Sequence, residues 1–422
     1  MKKIKATGLA TLFFLFYGFI QPISAQTFLE FRIPSGATSE ASRLYVNFID
    51  EFEHHNKNIK IKLLPYTNWD LVTTDVKRIT GEGKSVGLFV SEVSTTQELE
   101  KAKAVISFER AIKLHGNGIF GEPKDFKDTF VSENMLDNSY GKDGKLYGPP
   151  FIRSIPIAFY NLDLLKKIEY SEENLPKTWH EMILLLEKYK AKTGYTPFGF
   201  GAVWYDYLFE ATVRQAGGSL MTDNYSRFTL DSPEAVEALE FWAYLQDNDL
   251  MRKTNNWKST INGFAFGIYP VVYYSSGGLG TVSELAKFKW KAEVMPKNKV
   301  HGVSFGGGNL YISSHMSDDE TRAALRFAHF LYSEKVQTEI SEKTGFFPVT
   351  KAAFTSIRNP HLNTLKQQFR DNQVYGKIMT EEYLKTRNIL KEAIEKSLYK
   401  GISPRKALEW AQSEAEKLLM KK

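Results

Sequence analysis

Val86-Gly-Leu-Phe-Val-Ser-Glu92 is an unbroken apolar run that ends in a hydroxyl and a carboxylate. A strand that is apolar at every position is covered on both faces, as in parallel sheets flanked by helices. The neighbouring segments agree. Phe28–Arg32 and Ile59–Leu64 read as strands, while Leu44, Phe48, Ile49 and Phe52 recur at helical spacing. Leu71–Ile79 reads as a helix that stops near Gly81 and Gly83, and another helix follows from Thr96. Strand and helix therefore alternate, which predicts α/β layering around a mainly parallel sheet.

The pattern restarts after Tyr147. Pro156–Tyr160 is a strand, and Pro176-Lys-Thr-Trp179 opens a helix through Leu186 and Tyr189. Thr178 is its expected N-cap, with Glu181 completing a capping box. Pro197–Gly201 returns as strand and loop; Tyr205–Gln215 is helical and ends at Gly217-Gly218. Ser232-Pro233 starts a further helix, and Val271–Tyr274 is a strand leading into Ser275-Ser-Gly-Gly278. Thr380 to Leu419 is nearly all helix, broken at Gly401 and restarted by Ser403-Pro404. Trp179 and Trp242 read as helix-packing residues.

At 422 residues the chain suits two lobes rather than one small domain. Lys plus Arg is 55 against 49 Asp plus Glu, a balance that does not call for nucleic acid. Cysteine is absent, which excludes disulfides, thiolate metal sites and a cysteine nucleophile. Aromatic content is high at 14%, more than a core requires, so part of it is available to line a binding surface. Lys2, Lys3 and Lys5 precede the apolar run Gly8–Ile20, and Ile23-Ser24-Ala25 follows Pro22. This order predicts a secretory signal over residues 1–25, cleaved near Ala25. The apolar run falls short of the roughly 20 residues that span a bilayer. The expected location is the periplasm.

Reaction chemistry leaves little trace. The eight histidines show no zinc-motif spacing, and there is no G-x-S-x-G elbow. Ser304-Phe-Gly-Gly-Gly308 lacks the Lys-Ser/Thr of a phosphate loop and runs into the strand Asn309–Ile312. Glu92, Asp206 and Glu210 leave a glycosidase pair open, with no spacing that favours one. What stands out is a set of strand-end loops with rings and small polar groups: Trp69, Ser91-Glu92, Arg153-Ser154, Trp204 with Tyr207, Ser275-Ser276-Gly277 and Gly306-Gly307-Gly308. In α/β layers ligands bind where such loops converge. Rings give a sugar or polyol its C–H platform, and hydroxyls, carboxylates and glycine N–H groups meet its oxygens. Trp204 and Tyr207 also share a helix face and suit a core equally. Arg153 suits an acidic neighbour as well as a ligand.

Gly148–Leu165, Leu175–Met182, Ser275–Gly278, Gly306–Ile312 and Lys343–Phe354 carry a resemblance to the extracellular solute-binding proteins of the maltose-binding-like class, which serve ABC importers. Among these the chain is most similar to the glycerol-3-phosphate-binding members. The resemblance implies a type II periplasmic binding protein fold, α/β and two-lobed, with the ligand cleft between lobes. It implies residues 26–150 with 294–346 as one lobe and 151–293 with 347–422 as the other, with crossings near 150–156, 290–296 and 346–350. Its ligand contacts fall on Trp69, Glu92, Ser154, Trp204, Tyr207, Ser276, Gly307 and Phe346. The phosphate-binding arginine of those members has no counterpart in Gly376-Lys-Ile-Met-Thr380, which leaves Arg153 and Lys377 as replacement cations. A monomer without catalysis, metal or cofactor is implied, partnered by a permease pair and through it an ATPase. The alternatives are a secreted carbohydrate-active enzyme using Glu92, and a ligand sensor that docks on a receptor.

Overall fold

The computed structural model describes residues 26–34, 39–116, 119–121, 123–201, 205–370 and 373–420. The expected signal over 1–25 and the candidate Trp204 lie outside them. Thirteen strands occur among the described residues: β1 Thr27–Ile33, β2 Ile59–Pro65, β3 Leu88–Glu92, β4 Val105–Ile106, β5 Pro150–Ser154, β6 Pro156–Asn161, β7 Phe198–Gly201, β8 Met251–Thr254, β9 Val271–Ser275, β10 Trp290–Val294, β11 Val303–Ser304, β12 Gly306–Ser313 and β13 Val374–Tyr375.

Eleven of them form two large sheets, one per lobe, and β11 pairs with β13 in a separate parallel two-stranded sheet. The first runs β2-β1-β3-β12-β4, with β5 also on β12; the second runs β10-β6-β9-β7-β8. β1 is parallel to β2 and β3, and β7 is parallel to β8 and β9. The sheets are mixed rather than mainly parallel, because β12 is antiparallel to β3, β4 and β5, and β6 is antiparallel to β9 and β10. The reason is the route of the chain. β3 ends at Glu92 where β12 begins, Gly308 facing Glu92, so a strand returning from the other lobe enters the first sheet against its direction.

Local signals hold where the side chain itself completes the structure. Thr178 accepts from Glu181 N and the Glu181 carboxylate accepts from Thr178 N, starting the helix Trp179–Thr193. Ser232 caps Pro233–Asp247. Gly401 takes the left-handed φ of 68° that ends Tyr383–Lys400, before Pro404–Met420 begins. Trp179 stacks on Phe241 at 4.5 Å, and Trp242 meets Phe200 and Phe209 edge-on; both indoles are buried. Much of the aromatic surplus is core, including the ring cluster Phe108, Phe126, Phe130 and Tyr332.

β5 and β6 are separated by Ile155 alone, so the chain changes sheets within one residue. That point is tied on both sides: Ser276 N donates to Ile155 O at 2.9 Å, and the Arg153 and Phe347 peptides exchange hydrogen bonds of 3.2 and 2.6 Å.

Candidate functional site

A cavity with about 510 Å³ of unfilled space, part of it open to solvent, lies between the two sheets. Trp69, Glu92, Ser154, Gly306 and Gly307 come from the first sheet and the helix beside it, Ser154 through β5 although residues 151–293 were expected in the other lobe; Tyr207, Trp257, Tyr274, Ser275 and Gly277 come from the second sheet and its helices. Phe346 and Lys377 complete the lining. Six of the expected ligand contacts are thus brought together, Trp69, Glu92, Ser154, Tyr207, Gly307 and Phe346, along with the loop residues Ser275, Gly277 and Gly306 and the replacement cation Lys377.

The local chemistry explains their placement. Asn68 caps the helix Trp69–Gly81 by accepting from Leu71 N at 3.0 Å, which sets the indole at the helix mouth. The indole lies over Gly308, where any Cβ would collide with it. Gly307 has φ +97°, and a Cβ there would strike the Ile152 carbonyl, so only glycine suits the position. Glu92 ends β3; its Oε2 accepts from Ser94 N at 2.8 Å. Ser154 Oγ and the Tyr207 hydroxyl are 3.2 Å apart, and burial drives the Tyr207 phenol well above its ordinary pKa.

Two expectations need correction. Arg153 does not face the cavity. Its guanidinium is buried and donates to the carbonyls of Ile152, Gly308 and Met135 and to Asn309 Oδ1, at 2.8–3.2 Å. Burial pulls its pKa down to about 10. It is a structural cation whose terminal N–H groups are spent on three carbonyls and the Asn309 side-chain oxygen. Ser276 also turns inward: wholly buried, its Oγ accepts from Ile155 N at 3.4 Å. Its neighbours Ser275 and Gly277 line the cavity instead, because β9 ends at Ser275, which caps the 3-10 turn Ser276–Gly278 by accepting from Gly277 N at 3.1 Å.

The cation that does reach the cavity is Lys377. Its ammonium donates to Glu92 Oε1 at 3.1 Å, to Asp206 Oδ2 at 2.8 Å and to the Tyr383 hydroxyl at 2.8 Å. Burial opposes its charge, but Asp206 and Glu92 outweigh that and hold its pKa well above the usual lysine range. Burial likewise pushes the Asp206 carboxyl up, yet Lys377 and Arg387 outweigh it and the pKa lies below normal. Asn138 pins the Lys377 peptide from the first lobe, accepting from its N–H at 2.8 Å and donating to its carbonyl at 2.9 Å. Two buried carboxylates against one buried ammonium leave the cluster at a formal charge of −1.

Trp257 and Tyr274 were not singled out from sequence. Their rings stack at 3.8 Å with a 21° tilt, forming the second lobe's aromatic wall. Trp257 begins a helix capped by Asn256, whose side chain accepts from Ser259 N at 2.8 Å. The same Asn-Trp pair at a helix start therefore occurs once in each lobe, at Asn68-Trp69 and Asn256-Trp257. That repetition was the available signal.

The family model for bacterial extracellular solute-binding proteins matches residues 47–364, three quarters of the chain. The chain belongs to this family. Among curated solute-binding relatives, the sn-glycerol-3-phosphate-binding periplasmic protein UgpB of Brucella melitensis is 29% identical over 226 residues, covering 51% of this chain and 52% of its own. The Escherichia coli K12 protein of the same name is 27% identical over 252 residues, covering 54% and 56%. The chain thus spans about half the length of the curated relatives it matches. Two solved structures share the two-lobed α/β solute-binding fold. UgpB from Mycobacterium tuberculosis in complex with glycerophosphocholine has TM-score 0.78 at 18% identity, covering 94% of this chain and 99% of that one. Maltose-bound MalE3 from T. maritima has TM-score 0.79 at 16% identity, covering 93% and 100%.

Proposed function

We propose that this protein is the solute-binding subunit of an ABC importer, capturing a neutral sugar or polyol in the periplasm and handing it to a membrane permease. The observation that carries this reading is the pairing of aromatic walls with a lysine already neutralised by its own carboxylates. Trp69, Trp257 and Tyr274 offer flat faces to C–H surfaces; Glu92, Ser154, Ser275 and the backbone of Gly306-Gly307 offer hydrogen bonds to hydroxyls. A phosphate dianion needs unspent positive charge or several donors. Lys377 is the one cation among the described lining residues, and its three hydrogen bonds go to protein. A hydrolase would need a protonated carboxyl beside a second working one. Glu92 and Asp206 are both tied to Lys377, which favours recognition over turnover.

Calorimetric titration of the purified protein against neutral sugars, polyols and glycerol 3-phosphate tests the reading. A neutral member is expected to bind at least about tenfold more tightly than glycerol 3-phosphate and to be recovered unchanged. Tighter binding of glycerol 3-phosphate than of every neutral solute overturns it. Stimulation of ATP hydrolysis by the loaded protein in permease vesicles separates transport from sensing.

Ligand capture by two lobes depends on what the closed state gains over the open one. Arg387 donates to both Asp70 oxygens, at 2.8 and 2.5 Å, joining the helix that carries Trp69 to the helix Tyr383–Lys400. Asp70 is partly exposed, so the pair contributes on the order of 1 kcal/mol. Asp70→Asn is expected to weaken solute affinity roughly fivefold, chiefly through faster release, measurable by stopped-flow fluorescence; unchanged release rates would remove the pair from closure.

A further inference from the structure

The helix Tyr383–Lys400 belongs with the second sheet. It packs on the helices Tyr205–Gln215, Pro233–Asp247 and Pro404–Met420 and buries Leu390, Ala393, Ile394 and Leu398. Its first turn, however, is completed by the other lobe. Glu382, in the N-cap position, makes no side-chain bond to the helix. The acceptor comes instead from Glu98, on the helix Thr96–Lys101 beside the first sheet, whose Oε2 accepts from Leu384 N at 3.3 Å. We propose that Glu98 caps this helix across the cleft and so works as a clasp that holds the two lobes closed before any solute arrives.

The first N–H groups of a helix have no acceptor within it and carry a partial positive charge. The helices Trp69–Gly81, Trp179–Thr193, Pro233–Asp247 and Trp257–Ala265 meet that need locally, with Asn68, Thr178, Ser232 and Asn256. Tyr383–Lys400 uses a carboxylate 286 residues away. Glu98 suits the task. Its side chain is 5% exposed, and its Oε1 accepts from Lys77 on the helix Trp69–Gly81. Parting the lobes would leave Glu98 with Lys77 alone among the described residues and the helix without its cap. Both losses oppose opening.

The neighbouring contacts act in the same direction. Lys101 donates to Glu382 Oε1 at 2.8 Å, and the Lys142 ammonium is 3.1 Å from Glu381 Oε2. Within the same stretch of chain Arg387 holds Asp70. The side chains of the two lysine pairs are 26–46% exposed, so each contributes little by itself; Glu98 is the buried member of the group. Tyr383, next to the capped Leu384, donates to Asp206 and accepts from Lys377. The helix end is therefore tied to the cavity as well as to the first lobe. A solute that selects the closed state then meets a protein partly arranged for it, which raises its apparent affinity.

The chain has no cysteine, so Leu71→Cys with Lys258→Cys places two spin labels at exposed positions in the first turns of the helices that carry Trp69 and Trp257. Electron–electron distance measurement on the solute-free protein is expected to show mainly one short, closed population. Glu98→Met removes the acceptor and the charge at similar volume, while Lys77, 36% exposed, stays in contact with water. The variant is expected to lower the closed-to-open ratio at least about fivefold, the size of a lost helix cap, and to speed amide exchange at residues 383–387 by a similar factor. Adding Glu382→Ser gives the helix a cap of its own, which is expected to restore the exchange protection while the lobes stay apart. If Glu98→Met unfolds early, Glu98→Gln reads the same two quantities with a smaller shift. A solute-free parent that is mainly open, or a distance or exchange rate that does not respond to loss of Glu98, overturns the clasp. The proposal needs lobes that move but no particular solute, so it stands apart from the neutral-sugar reading, which the titrations test.

Discussion

Replacing Lys377 with methionine is expected to cost about 3–5 kcal/mol of folding stability, the range for breaking one side of a buried ion pair. The side chains of Lys377, Glu92 and Asp206 are 1%, 5% and 2% exposed. Removing the ammonium strands two carboxylates in a medium that cannot solvate them. Glu92 keeps only its bond from Ser94 N, and Asp206 keeps only the Tyr383 hydroxyl, at 3.0 Å. Adding Glu92→Gln and Asp206→Asn to Lys377→Met removes the stranded charge and is expected to restore most of the loss, while solute binding stays weak. Urea denaturation followed by tryptophan fluorescence reads both. If the single variant is as stable as the parent, the cluster is solvated and the charge argument against phosphate fails with it. The acid limb carries the same signature. Asp206 has a depressed native pKa, so its contribution is fully present above its unfolded pKa and is lost as pH falls through the native one.

Trp257→Ala is expected to lower affinity for the preferred neutral solute by about 100-fold or more, near 3 kcal/mol. The indole stacks on Tyr274, so truncation removes one ring and frees the other to move, and the second lobe loses its flat wall. Trp257→Phe keeps a face of smaller area and is expected to retain most of the binding. Because Trp257 is only partly buried, the unliganded protein is expected to stay folded, with thermal unfolding a few degrees lower. Affinity unchanged in the alanine variant would place the sugar elsewhere.

The difference between what sequence shows and what it hides follows from the range of the interactions. β3 was legible because both-face burial is written in five consecutive residues. The Thr178–Glu181 box and the Gly401 stop were legible because their partners lie within a turn. Trp69, Glu92 and Ser154 were legible because strand-end loops converge in layered folds. Arg153 was not. Its acceptors on Gly308 and Asn309 are 155 and 156 residues away, and only folding decides whether a guanidinium meets carbonyls or a ligand. The same distance hid the meaning of Lys377. Sequence marks it as an available cation, whereas Glu92 and Asp206, 285 and 171 residues away, make it a spent one. Ser275 and Ser276 differ by one position, and the turn that begins between them chooses which one lines the cavity.

The single residue between β5 and β6 sets how contacts to a solute are made in time. Ser154 sits beside that pivot, so any swing of one half against the other displaces it least, and its place opposite Tyr207 is nearly constant through the stroke. The Trp257 ring lies 6.3 Å from the Tyr207 ring, so the second lobe's aromatic wall stays near the axle as well, and a molecule entering the gap meets hydroxyls and rings together.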